Sequence, residues 1–110
     1  MAIDVKITDN SDKFLDALPE QIEQALTAIG LTAASYAKAD CPVDTGRLRN
    51  SITHAVESGE KAVYIGSNVE YAAFVELGSS RMKPRPYLKP AATEHSAEYK
   101  SLAEQALKGG

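Results

Sequence analysis

Ile3, Val5 and Ile7 alternate with Asp4 and Lys6, the period of a short strand with one buried face. Asn10 and Ser11 supply a turn and a helix cap. Phe14, Leu15 and Leu18 then fall on one helical stripe, which Pro19 interrupts. Proline is tolerated at the first helical position, so the pattern predicts a long helix from about Pro19, with Glu20 well placed against its dipole. Ile22, Ala25, Leu26, Ile29, Ala33, Tyr36 and Ala37 keep the helical period down to about Asp40. Gly30 inside it costs roughly 1 kcal/mol relative to alanine, which a close helix or sheet neighbour would explain. Pro42 disfavours helical geometry at Cys41 and ends the helix.

From Asp44 to Ile52 the pattern is a capped turn feeding a short helix, with Asp44 or Thr45 as the cap. Ile52 to Val56 and Ala62 to Ile65 are strand-like and flank the turn Ser58-Gly59-Glu60, an antiparallel hairpin. After Gly66-Ser67-Asn68, the residues from Glu70 to Leu77 favour a short helix stopped by Gly78. Residues 79–89 are polar, basic and broken by Pro84 and Pro86, which predicts a loop or an extended arm, with Tyr87 and Leu88 anchoring its end as a final short strand. Pro90 opens a C-terminal helix whose stripe is Ala91, His95, Tyr99, Leu102 and Ala106. The expected fold class is α+β, with a long N-terminal helix and a C-terminal helix packed on a small, mainly antiparallel sheet.

A length of 110 residues fits one domain, spanning 1–110, and neither a repeat nor a linker divides it. Usage is ordinary for a globular protein, 44% hydrophobic and 25% charged, which excludes wholesale disorder. Apolar runs are only a few residues long, so no membrane span is expected, and the start Met1-Ala2-Ile3-Asp4 lacks the pattern of a secretory signal. The single cysteine, Cys41, rules out an intramolecular disulfide and fits a reducing cytoplasm. A net charge of −3 argues against a generic nucleic-acid binder. The charge is segregated, however. Residues 1–40 hold three Lys against seven acids, whereas Arg81, Lys83, Arg85 and Lys89 follow one another with no acid among them. Such segregation suits head-to-tail contacts between copies or simply a solvated face.

Catalytic chemistry is thin. His54 is expected on the solvent face of a strand, and His95 as a half-buried packing residue on a helix. No HxxxH, CxxC or phosphate-cradling glycine motif occurs, so no metal and no cofactor is expected. Cys41 falls at a helix C-terminus, where the dipole disfavours a thiolate, so it is expected to be a structural thiol rather than half of a Cys–His dyad. Asp44-Thr45-Gly46 lacks the second carboxylate and the β-rich setting of an aspartic protease. No enzyme activity is expected. Three readings stay open for the basic segment. It is a solvated loop, a protein-binding arm carrying Arg81, Met82, Lys83, Arg85 and Tyr87, or a nucleic-acid contact over 81–89 with Tyr87 as a stacking ring.

Two stretches resemble a tail-component family of tailed bacteriophages. The first is Cys41-Pro42-Val43-Asp44-Thr45-Gly46-Arg47-Leu48-Arg49-Asn50-Ser51-Ile52. The second runs from Gly66-Ser67-Asn68-Val69-Glu70-Tyr71 to Glu76-Leu77-Gly78 and continues through Arg81-Met82 to Pro86-Tyr87-Leu88-Lys89-Pro90-Ala91. Order, spacing and the intervening hairpin agree, and the resemblance extends from about Leu15 to the C-terminal helix. It implies a virion protein of the neck, similar to the tail terminator, a small α+β subunit forming a hexameric ring on the tail tube. A head-completion stopper or another tail-assembly component is the alternative role. The implied partners are further copies of the chain, the tail tube and the head connector or stopper proteins. DNA would pass through the ring without sequence-specific binding, and no membrane would be involved. The implied location is the neck or tail of the virion, assembled in the bacterial host cytoplasm. Within the two motifs Pro42, Asp44, Thr45, Gly46, Leu48, Tyr71, Gly78, Pro86 and Pro90 are expected to have structural roles. Asp44 or Thr45 would cap a turn that Gly46 permits, and Leu48 and Ile52 would enter the core. Tyr71, Phe74 and Leu77 are expected in the core or between subunits.

Overall fold

The computed structural model describes residues 3–8, 16–42 and 46–109. In chain order these form β1 (Ile3–Thr8), α1 (Pro19–Asp40), α2 (Arg47–Ser51), β2 (Thr53–Glu57), a 3-10 turn (Ser58–Glu60), β3 (Ala62–Ser67), α3 (Ala72–Leu77), α4 (Lys89–Thr93) and α5 (Ser96–Gly109). The class is α+β, as expected. The expected cap residues Asn10 and Ser11, the apolar pair Phe14 and Leu15, and the cap candidates Asp44 and Thr45 lie outside the described residues.

The three strands make one antiparallel sheet in the order β1-β3-β2, with β2 and β3 as the expected hairpin. Ile7 and Val56 both stand opposite Val63, while Val5 and His54 both stand opposite Ile65. Side chains alternate across a strand, so these two rows share one face, which is the face α1 covers. Val63 and Ile65 on the central strand are fully buried together with Leu26 and Ala33 from α1. The outer face carries Lys6, Tyr64 and Glu60, where Glu60 accepts from Lys6 Nζ at 2.9 Å and from the Tyr64 hydroxyl.

Gly30 marks the crossing of helix and sheet. A Cβ there would lie 2.7 Å from the His54 ring and 2.8 Å from Val63, too close for any side chain. That close approach is the neighbour its position called for, and it corrects the placement of His54. The imidazole does not face solvent but is half-buried, on the helix-facing side of β2.

α1 starts with Pro19 in its first turn, and Gln21 Oε1 reaches back to accept the Leu18 N–H at 3.2 Å. Gln21 Nε2 also donates to the Leu107 carbonyl at 3.0 Å, tying the start of α1 to the end of α5. Near the other end of α1, the Tyr36 ring stacks on His95 at 3.6 Å and its hydroxyl donates to Glu98. The two helices therefore run antiparallel.

Two expectations change in the C-terminal third. The helix opened by Pro90 is not continuous; it breaks at Glu94–His95 into α4 and α5. The Tyr99 hydroxyl, buried in the core, donates to the Ala91 carbonyl across that break. Tyr87 and Leu88 do not form a strand. Both are fully buried in a bend, and their N–H groups go to a side chain rather than to a neighbouring strand.

Candidate functional site

The two motif segments meet beyond the C-terminal end of α1. Cys41 caps that end, buried, and its Sγ donates to the Pro42 carbonyl. Burial pushes the thiol up, and Arg49 and Arg85 partly oppose that shift. Gly46 then adopts the left-handed conformation, φ 76°, as the N-cap of α2, and its carbonyl accepts the Asn50 N–H. Leu48 and Ile52 turn inward and are buried, as expected. Ser51 completes the turn, donating to the Leu48 carbonyl while it pairs with the buried Ser67 at 2.6 Å.

Arg47 faces outward and clasps the other motif. Its guanidinium makes two 2.9 Å bonds to the two oxygens of Glu70 and lies 5.7 Å from the Tyr71 ring centroid. This fork holds the Glu70 carboxyl below its usual range. Tyr71 is half-buried and caps α3.

Glu76, on α3, is the side chain around which the second motif is organised. It is only 5% exposed. Its Oε1 accepts the N–H groups of Tyr87 at 2.9 Å and Leu88 at 2.7 Å, and its Oε2 accepts that of Lys89 at 3.0 Å. These donors sit at the start of α4, where backbone N–H groups have no partner within their own helix and favour an anion. Pro90 follows in the first turn of α4, which needs no N–H there. Tyr87 adds a second tie, its hydroxyl donating to the Ala72 carbonyl at 3.1 Å.

Residues 78–86 are thereby held at both ends and do not extend away as an arm. Gly78 has φ 79°, and a Cβ there would meet Pro84 at 2.8 Å. Ser79 and Met82 exchange backbone hydrogen bonds in a tight turn, and the Arg85 N–H donates to the Val75 carbonyl at 2.7 Å. Arg81, Lys83, Arg85 and Pro86 are exposed on this loop, and Met82 is 37% exposed. The expected contact set is thus brought together with one correction: Tyr87 points into the core and is not available to a partner. Phe74 and Leu77, i and i+3 on α3, stand 45% and 68% exposed and are not core residues. Pro42, Leu48, Tyr71, Val75 and Met82, with Arg47 and Arg85 at the rim, line a groove of about 500 Å³ between the two motifs.

Sequence reasoning missed Glu76 and the Arg47–Glu70 fork. A charged residue beside Ala72, Ala73 and Val75 was the available signal for the first. Among the described residues no group of three His, Cys, Asp or Glu side chains is placed to hold a metal ion. No helix among them is long and apolar enough to cross a membrane.

A helix-on-sheet α+β domain in which two sequence motifs pack side by side, the second of them pinning a surface loop, defines this protein's class. Residues 6–78, about two-thirds of the chain, match the family model described as "Bacteriophage HK97-gp10, putative tail-component", and the chain belongs to that family. It is a phage tail component, and so a virion protein that associates with other phage structural proteins. The matched range takes in the first motif and the second as far as Gly78; the basic loop lies beyond it. No curated protein and no solved structure matches the chain significantly.

Proposed function

We propose that this tail component works in the neck, as a subunit of a ring that terminates the tail tube and joins it to the head. The observation that carries this reading is the loop at 78–86, pinned through Glu76 and flanked by exposed Phe74 and Leu77. A surface whose backbone is fixed before it meets a partner loses little conformational freedom on docking. Exposed large apolar side chains beside cationic ones are the composition of a protein contact. The role is one of assembly, without a reaction or a cofactor, and the ring's channel passes DNA without reading it. A single-strand-binding module built on 81–89 would need Tyr87 as its stacking ring, and that ring is buried.

The test is to mix the chain with polymerised tail tube from the same gene cluster and follow light scattering and electron micrographs. Capture of a ring at one end of the tube is expected. Tubes that ignore the chain, together with normally joined particles when the gene is deleted, would sink the neck reading. A head-completion stopper would bind the head connector instead and leave tube ends free.

A further inference from the structure

We propose that the outward stripe of α1 is the surface on which the 78–86 loop of a second copy of this chain docks. Glu20, Glu23, Thr27 and Leu31 recur at steps of three and four residues and so share one helix face. That face is turned away from the buried stripe of Ile22, Leu26, Ile29 and Ala33. Glu20 and Glu23 are exposed, and Leu31 is 56% exposed although it sits in the middle of the longest helix. The stripe is thus an anionic end followed by an apolar one. The loop offers the opposite charge in the same two-part pattern, Arg81 and Lys83 beside Phe74 and Leu77. Among the described residues none of these four charged side chains has an ion-pair partner within its own chain.

One chain cannot bring the two surfaces together. Glu20 lies in the first turn of α1, whereas the loop packs beside Pro42 and Leu48, past the last turn. A helix of 22 residues separates them by about 30 Å. The contact is therefore heterologous, one patch on a different patch of the next copy, and it repeats head to tail until it closes. Arg81 and Lys83 opposite Glu20 and Glu23 set the register, and Leu31 against Phe74 and Leu77 supplies the apolar burial. This inference rests on the ring reading for its setting and gives that ring its subunit contact.

Two charge-reversed chains test it, Glu20→Lys/Glu23→Lys and Arg81→Glu/Lys83→Glu. All four positions are exposed, so both variants are expected to stay folded. Glu20→Lys also reverses a favourable charge in the first turn of α1, so that variant is expected to melt a few degrees lower while remaining folded at the assay temperature. Sedimentation velocity at low salt and tube-end capture are the two readouts. Each variant alone is expected to associate about tenfold more weakly than wild type or worse, because both of its patches then carry the same sign. The equimolar mixture is expected to recover wild-type association, since every contact in an alternating assembly is again opposite in sign. A variant that assembles like wild type, or a mixture that stays as weak as its components, overturns the contact. If wild type is captured by tubes in that case, the ring stands and uses another surface. A wild-type chain that neither self-associates nor binds tubes overturns both readings.

Discussion

Three backbone N–H groups converge on the carboxylate of Glu76, and no neutral side chain of that size can receive all three. Glu76→Gln preserves shape and one acceptor oxygen, yet it turns an amide N–H₂ towards at least one N–H. The expected loss is about 1–3 kcal/mol, seen as a fall of roughly 5–20 °C in the melting temperature of a domain this size. Glu76→Ala strips all three donors of their partner, those of Tyr87 and Leu88 in the buried interior, and is expected to cost more than the Gln variant. Thermal melts followed by circular dichroism check both, and an unshifted Glu76→Gln melt would remove Glu76 as the organiser of the loop. The contrast with Arg47–Glu70 is instructive. That fork has ideal geometry but sits in solvent, where ion pairs contribute little to stability.

At the scale of elements, α1 sits low on the sheet because Gly30 lets it. Gly30→Ala improves helix propensity by about 1 kcal/mol but drives a methyl group to within 3 Å of His54 and Val63. The crowding is expected to win, with a net destabilisation of about 1–2 kcal/mol. Removing the imidazole relieves part of the clash, so Gly30→Ala is expected to cost less in a His54→Ala background. A double-mutant cycle with a favourable coupling checks this, and strict additivity would refute the crossing point. These examples also show what the sequence made legible. The alternation around Ile3 to Ile7, the hairpin about Ser58-Gly59-Glu60 and the stripe from Ile22 to Ala37 carry their period locally, and each appears where that period put it. Gly30 announced a close neighbour but not which one. His54 lies in phase with Ile52 and Val56, so the alternation of β2 places it on their inward face, and an expectation based on its polarity alone puts it on the wrong side. The break at Glu94–His95 and the burial of Tyr87 were illegible for a different reason. Both depend on partners 8 to 15 residues away, Ala91 for the Tyr99 hydroxyl and Ala72 and Glu76 for Tyr87, and no local period encodes them.

Across the whole molecule, two buried phenols link the C-terminal elements in series. Tyr87 ties the loop to α3 through the Ala72 carbonyl, and Tyr99 ties α5 to α4 through the Ala91 carbonyl. Burial pushes both hydroxyls up from the ordinary tyrosine value of 10. For Tyr99 the rise reaches about 12, with the charges on Tyr36 and Glu98 adding to it, and for Tyr87 the charges on Cys41 and Glu76 add to burial. The sign of the linkage follows from proton counts. Between pH 10 and about 12 the folded chain keeps protons on these oxygens that the unfolded chain has already lost, so stability falls as pH rises. Below pH 10 both states are protonated, and the two phenols contribute no slope. Urea unfolding is therefore expected to give a midpoint insensitive to these groups up to pH 10 and a steep decline above it. In Tyr99→Phe the neutral-pH stability should fall by about 1 kcal/mol for the lost hydrogen bond, while the alkaline decline becomes shallower. An alkaline slope identical in wild type and Tyr99→Phe would mean that the phenol titrates as freely as in the unfolded chain. The serial link through α4 would then not be closed in solution.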